Sequence, residues 1–123
     1  MKIIMLSGDS RTGKTTVINE VYKMLTGKYY SEDRHKDFEV VITHLGLSVA
    51  IKSDGDFSTI TTKAMQEYHA KGCNVLICAH NIGKKKPLKE IKKHDHVLIR
   101  KTEPYRSDIS CVADAEAIVK SIL

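Results

Sequence analysis

The chain has 123 residues, the size of one common domain, and leaves little room for a second folded unit. Hydrophobic residues make up 41% of the sequence and charged residues 28%, which are ordinary values for a globular protein in water. The formal net charge of +5 favours anionic partners and does not choose among nucleotides, nucleic acid and phosphorylated metabolites. We therefore treat residues 1–123 as a single domain.

Cysteine usage and the first residues bear on the compartment. Cys73, Cys78 and Cys111 form no C-x-x-C pair and are odd in number, so neither a disulfide framework nor a zinc site is expected. The apolar run IIML after Lys2 is too short for a signal peptide or a membrane span. These features predict a cytoplasmic protein that has no membrane partner.

The first half of the chain alternates between strand and helix patterns. KIIML is a continuous apolar run of the kind found in strands buried on both faces. Helical spacing follows over residues 15–25, and Gly27 provides a C-terminal stop. FEVVITH and LSVAIKS are two strands joined by a few residues around Gly46. So short a connection predicts an antiparallel hairpin, because a parallel crossover needs roughly a dozen residues or more.

The second half repeats the alternation. A helix is predicted after SDGD as far as Ala70, followed by the strand NVLICAH, a short basic helix with Pro87 in its first turn, and the strand HVLIR. The last segment is helical, with an apolar face formed by Val112, Ala115, Val119 and Ile122. This order predicts an α/β three-layer sandwich with a mostly parallel five-stranded sheet and room for one antiparallel edge strand.

A phosphate-binding motif lies between the first predicted strand and the first predicted helix. Gly8, Gly13, Lys14 and Thr15 spell G-x-x-x-x-G-K-[ST]. Gly8 allows a tight exit from the strand, and Gly13 lets the backbone approach a phosphate without a Cβ in the way. The N–H groups of the loop and of the helix N-terminus form an anion-binding nest. Lys14 would reach the β- and γ-phosphates, and the Thr15 hydroxyl would bind Mg²⁺, which prefers hard oxygen ligands.

Residues 2–25 resemble the Walker A region of the P-loop NTPases, and the later alternation of strands and helices resembles their fold. The resemblance implies a P-loop after the first strand that binds ATP or another nucleoside triphosphate together with Mg²⁺. Arg11 would then lie near the γ-phosphate or a bound acceptor. The implied nucleotide-binding residues are Gly8, Asp9, Ser10, Arg11, Thr12, Gly13, Lys14, Thr15 and Thr16.

The resemblance also implies an acid after an apolar strand, the Walker B group. Asp54 and Asp56 follow the apolar run at residues 49–51 and are the best candidates. Such an acid holds Mg²⁺ through a water or orients the attacking group. The alternative is an Asp-Gly turn in which Asp56 or Ser58 caps the next helix. The candidate catalytic residues are thus Lys14, Asp54 and Asp56, and the candidate metal residues are Thr15 and Asp54.

Other segments narrow the branch of the family. NIGK lacks the aspartate of the guanine motif N-K-x-D, so guanine specificity has no support. The chain looks most like the small nucleotide and metabolite kinases, whose phosphate-covering lid lies between late elements of the sheet. Residues 84–93 are dense in lysine and form either a rudimentary lid or a solvated basic face. The lysines are Lys84, Lys85, Lys86, Lys89, Lys92 and Lys93.

Two pairs of residues follow later predicted strands. His80 and Asn81 end the strand NVLICAH, on the side where ligands bind in open α/β sheets, and a contact to the γ-phosphate is one hypothesis. Tyr105 and Arg106 follow the last strand, near where the adenine usually lies in this family, and stacking on the base is a second hypothesis.

Three functions are compatible with these patterns. The first is a small ATP- and Mg²⁺-dependent kinase or NTPase that moves the γ-phosphoryl group to a small acceptor or to water. The second is a nucleotide-binding switch module with little turnover, favoured by the short chain and by a lysine segment without arginine. The third and least favoured is a nucleic-acid binder that uses the lysine segment, because no aromatic platform or known reading motif accompanies it.

Overall fold

The computed structural model describes residues 1–9, 13–55, 58–101 and 108–123. Within these ranges the chain forms five strands and four helices that alternate as the apolar patterns predict. In chain order they are β1 (Lys2–Gly8), α1 (Lys14–Thr26), β2 (Glu39–His44), β3 (Leu47–Lys52), α2 (Ser58–Ala70), β4 (Val75–Asn81), α3 (Lys85–Ile91), β5 (Asp95–Arg100) and α4 (Asp108–Lys120).

The strands form one mixed sheet in the order β2-β3-β4-β1-β5. β1 pairs in parallel with β4 and β5, and β3 pairs in parallel with β4. β2 lies at the edge and pairs antiparallel with β3 through a tight turn at Leu45 and Gly46, which both have positive φ. This is the twist that two-residue hairpin loops require, so the predicted hairpin and antiparallel edge strand are confirmed.

The sheet is buried on both faces because successive side chains of its inner strands alternate between two apolar clusters. In β1, Ile4 and Leu6 pack in a cluster with residues of α1 and α4. Ile3 and Met5 pack in a second cluster with residues of α2 and with Ile91 of α3. The continuous apolar run at the start of the chain is explained by this two-sided burial.

The buried face of α4 overlaps the expected one, since Ala115 and Ile122 are buried as predicted and Val119 packs against the same cluster. Cys111, Ala115 and Ile118 are fully buried, whereas Val112 and Val119 are only half-buried. Both sets recur at helical spacing, and the structure selects the one that carries Cys111 and Ile118 against α1 and the sheet. Asp114 on the same helix is buried as well, and its carboxylate forms an ion pair with Lys101 Nζ at 3.2 Å.

The connections leave β1 and β4 toward opposite faces of the sheet. α1 follows β1 and packs in the first cluster, whereas α3 follows β4 and packs in the second. Since β1 and β4 are adjacent and parallel, their carboxyl ends form a switch point where the chain leaves the sheet toward opposite faces. In open α/β sheets this is the position where ligands bind.

All three cysteines are buried as free thiols. Burial raises the pKa of Cys78 to about 12, so this thiol is protonated and inert at neutral pH. Among the described helices, none has both the length and the apolar character needed to cross a membrane.

Candidate functional site

The N-terminus of α1 begins at a glycine of the motif and has no side-chain cap. Gly13 caps the helix with φ 90° and ψ 18°, a left-handed conformation that glycine adopts without steric cost. Glycine offers no side chain to cap the helix, and the first turn contains no acidic residue. The first intrahelical bond from this end runs from the Val17 amide to the Gly13 carbonyl, at 3.0 Å. The amides of the three preceding helical residues therefore have no partner within the helix.

Lys14 lies inside the same segment. Only 7% of its surface is exposed, and its Nζ donates to the carbonyls of Gly8 at 3.1 Å and Asp9 at 2.6 Å. These contacts hold the ammonium beside the end of β1 and outside both apolar clusters. A fixed positive charge next to the positive end of a helix dipole favours a negatively charged group at this position.

Thr15 contacts an acid that the sequence did not single out. Its hydroxyl donates to Oδ1 of Asp37 at 2.9 Å. The Ser53 hydroxyl lies 3.1 Å from the same oxygen and 3.2 Å from the Phe38 carbonyl, so its one proton is shared between these two acceptors. Asp37 precedes β2, and the sequence search considered only acids that follow an apolar strand. Since β2 is antiparallel, its amino-terminal end lies at the carboxyl end of β3, which brings Asp37 to the same edge as Thr15.

Asp54, the sequence-based candidate, lies just beyond β3 and is half-buried. Its neighbour Gly55 is packed against β4, and the Gly55 carbonyl accepts a bond from the Asn81 amide at 3.3 Å. Asp54 is therefore at the carboxyl edge of the sheet, as expected, and stays a candidate. The remaining sequence-based candidates lie outside the described residues: Ser10, Arg11, Thr12, Asp56, Tyr105 and Arg106.

A polar segment, residues 28–38, packs along α1 and carries Asp37 to the helix start. Thr16, predicted to contact phosphate, is buried, and its hydroxyl pairs with Nδ1 of His35 at 2.8 Å. This leaves its main-chain amide as the group that an anion can reach. One turn later the Glu20 carboxylate accepts a bond from Tyr29 at 2.7 Å and pairs with Arg34. The segment is thus attached to α1 at several points.

His80 connects the end of β1 to the loop after β4. The side chain is fully buried, with Nδ1 2.9 Å from the Ser7 hydroxyl and Nε2 2.6 Å from the Lys84 carbonyl. A carbonyl only accepts, so Nε2 carries the proton and Nδ1 accepts from Ser7. Burial lowers the pKa of His80; the bond to the Lys84 carbonyl opposes this shift, and the charges of Lys14 and Arg100 add to it.

The lowered pKa of His80 predicts a loss of stability in mild acid. As the pH falls through 6.5, the ordinary pKa of histidine, His80 is protonated in the unfolded chain but stays neutral in the folded chain. The free energy of unfolding should therefore decrease below that pH, until the lowered folded-state pKa is reached. Urea titrations between about pH 7.5 and about pH 5.5 should show a shallower decrease for His80→Asn than for the wild type. Equal slopes for the two proteins would contradict this assignment.

The lysine segment divides between the two edges of the sheet. Lys84 follows the carboxyl end of β4, so the first half of the segment emerges beside His80. α3 then runs toward the opposite edge of the sheet, and Lys93 lies there, near the start of β1. There it lines a pocket of about 530 Å³ together with Lys2, His69 and His94. This pocket is separate from the end of β1 and is not part of the candidate site.

The oxygen donors at the candidate site fit a hard cation. The Thr15 hydroxyl and the Asp37 carboxylate are the types of ligand that Mg²⁺ takes, usually one or two carboxylates together with substrate phosphates. No cluster of three or more His, Cys, Asp or Glu side chains suited to a metal occurs in the described ranges. An all-protein metal cage is therefore not observed in that part of the chain.

Comparison of the chain with protein-family models, with curated proteins and with solved structures finds no match in any of the three.

Proposed function

We propose that the chain binds a nucleoside triphosphate with Mg²⁺, ATP in first place, at the carboxyl edge of β1 and β4. The observation that carries this proposal is the arrangement of the motif: Gly13 in a left-handed conformation, an uncapped α1 and the Lys14 ammonium beside the end of β1. In this proposal the segment after β1 is a P-loop. The helices on both faces of the sheet form the three-layer sandwich of such proteins, and the expected location is the cytoplasm.

In this proposal different groups of the chain bind the phosphates and the cation. The amides of Lys14, Thr15 and Thr16 donate to phosphate oxygens, and the Lys14 ammonium moves from the Gly8 and Asp9 carbonyls to the β- and γ-phosphates. The Thr15 hydroxyl would hold Mg²⁺. When bound, the cation neutralises the charge that develops on the phosphates during transfer.

The proposed activity is that of a small kinase or NTPase. Catalysis of phosphoryl transfer consists mainly of positioning and charge neutralisation, which Lys14, Thr15 and an acid at the sheet edge supply. The acceptor is a small molecule or water. Asp54 remains a candidate for orienting the attacking group, since it lies at the same edge.

A nucleotide-binding module with little turnover is the second candidate. The observation that favours it is the composition of residues 84–93, which hold six lysines and no arginine. Arginine presents the planar fork that matches a phosphate, whereas lysine acts as a point charge. A single-turnover measurement of ATP hydrolysis or of transfer to an acceptor separates this candidate from the enzyme.

The proposal predicts a higher melting temperature in the presence of ligand. A ligand that binds only the folded state and is present at about 100 times its dissociation constant adds about 2.7 kcal/mol to the free energy of unfolding. We expect ATP with Mg²⁺ to raise the melting temperature by several degrees in a screen that includes GTP, nucleoside monophosphates and Mg²⁺ alone. Mg²⁺ alone and AMP should have little effect, because neither offers a β- or γ-phosphate to Lys14.

An unchanged melting temperature at millimolar ATP with Mg²⁺ would contradict the proposal. Stabilisation by single-stranded DNA or RNA without any response to ATP would favour the nucleic-acid binder. That binding should weaken steeply as salt is added, because each neutralised phosphate contributes roughly one unit or slightly less to the logarithmic slope.

A further inference from the structure

We propose that Asp37 is the carboxylate that holds Mg²⁺ together with Thr15, either directly or through a bound water. This inference rests on the proposed nucleotide function and deepens it. The carboxylate ligand of Mg²⁺ is then Asp37, which precedes the antiparallel strand β2, and not Asp54, the candidate from the sequence. The starting observation is the bond from the Thr15 hydroxyl to Asp37 Oδ1, at 2.9 Å.

Asp37 is held in place by the backbone on either side. Before it, the Lys36 carbonyl accepts a bond from Asn19 Nδ2 at 3.3 Å, and the same amide group donates to the Thr15 carbonyl at 2.9 Å. Asn19 is fully buried in α1, so it fixes the backbone next to Asp37 relative to the helix start.

The residue after Asp37 is fixed as well. Phe38 is buried in the apolar cluster that contains α1, and its amide donates to the Ser53 hydroxyl at 2.7 Å. The Ser53 amide in turn donates to the Phe38 carbonyl at 3.0 Å. With both neighbours anchored, the backbone that carries the exposed Asp37 side chain is held near the start of α1 before a ligand binds. A preorganised ligand of this kind binds a cation more tightly than a mobile one.

The hydrogen bonds leave the carboxylate able to accept a cation. Thr15 donates to Oδ1, and the single proton of the Ser53 hydroxyl is shared between Oδ1 and the Phe38 carbonyl. An ionised carboxylate offers about four lone-pair positions, so two donors do not exhaust it. The Thr15 hydroxyl oxygen also keeps lone pairs while it donates its proton. The Thr15 hydroxyl oxygen and Asp37 Oδ1 therefore lie 2.9 Å apart at the start of α1, where the triphosphate is proposed to bind.

The choice of Asp37 over Asp54 follows from the contacts of Thr15. The hydroxyl that the motif assigns to Mg²⁺ is already directed at Asp37. Ser53, the residue immediately before Asp54, turns its hydroxyl toward Asp37 as well. The residue after β3 thus contacts the Asp37 carboxylate and helps to position it.

The experiment measures how the affinity for ATP depends on Mg²⁺ in three proteins: the wild type, Asp37→Asn and Asp54→Asn. The two variants remove one negative charge each at the same sheet edge, so they are matched controls for one another. Asparagine at position 37 keeps an oxygen that accepts from Thr15 and Ser53, and an unchanged melting temperature verifies the fold. Mn²⁺ in place of Mg²⁺ gives a second readout, because its binding in the presence of ATP is followed directly by water-proton relaxation.

We expect Asp37→Asn to weaken Mn²⁺ binding in the ATP complex by about tenfold or more, the range seen when groups supporting a metal site are changed. Its affinity for ATP in EDTA should stay at the wild-type level or rise slightly, because a negative charge near the phosphates is gone. Asp54→Asn should bind Mn²⁺ within about twofold of the wild type, since in this assignment it contributes no ligand.

The reverse result, with Asp54→Asn impaired and Asp37→Asn unchanged, would overturn the inference and leave the nucleotide function intact. Equal Mn²⁺ affinities in all three proteins would also overturn it. If the wild type bound no ATP with or without metal, the proposed function itself would fail, and the inference with it.

Discussion

Replacing Lys14 by alanine should weaken the binding of ATP by about 100-fold or more, because a hydrogen bond to a charged group contributes about 1.5–3 kcal/mol and the ammonium would make at least two. Its removal also takes away a buried positive charge beside the phosphates. Isothermal titration of the wild type and of Lys14→Ala with ATP and Mg²⁺ measures the difference directly.

The control for this variant is Lys28→Ala. It removes the same charge from an exposed position beyond the far end of α1 and should bind ATP with an affinity close to that of the wild type. Lys14→Ala itself should remain folded, because Lys14 contacts the carbonyls of Gly8 and Asp9 and belongs to neither apolar cluster. Equal affinities in the two variants would mean that Lys14 does not contact the triphosphate.

Gly55→Ala should lower the free energy of unfolding by about 3 kcal/mol, the upper end of the usual cost of forcing atoms into a fully packed site. A Cβ at Gly55 would lie 2.3 Å from the Ala79 carbonyl oxygen and 2.8 Å from the His80 amide nitrogen. Both are backbone atoms of β4, so neither can move aside without displacing the strand. Urea-induced unfolding of the wild type and the variant gives the difference.

Gly83→Ala provides the matched control. The nearest atom to its added Cβ is the Asn81 side-chain oxygen at 3.7 Å, an ordinary van der Waals contact. Its stability should be unchanged or slightly raised, since alanine reduces the freedom of the unfolded chain. Equal stabilities of Gly55→Ala and Gly83→Ala would contradict the close approach of Gly55, in the loop after β3, to the backbone of β4.

Much of the fold could be predicted from apolar periodicity, because the pattern of apolar residues within one strand already indicates which of its faces are buried. KIIML predicts a strand buried on both faces, and β1 has this property. The short link at Gly46 correctly predicted the antiparallel edge. The face of α4 was predicted only in part: Ala115 and Ile122 are buried as expected, but Cys111 and Ile118 are buried more deeply than Val112 and Val119, which share their helical spacing. Only the packing against α1 distinguishes the two sets.

The candidate site was predictable where its residues are neighbours in sequence and not where they meet through the sheet. Gly13, Lys14 and Thr15 were found because one motif contains them. The pairing of Ser7 with His80 depends on the register of β1 against β4, which places these two residues opposite one another. Asp37 could not be found by searching after apolar strands. A search of residues that precede an antiparallel edge strand would have included it.

The most direct test of the central claim is to locate ATP on the protein. Addition of ATP with Mg²⁺ to ¹⁵N-labelled protein should move the amide resonances of Gly13, Lys14 and Thr15 most, because their N–H groups lie at the uncapped start of α1. His94, which lines the pocket at the opposite edge of the sheet, should be unaffected. Shifts confined to that opposite edge, or no shifts at saturating ATP, would contradict the account.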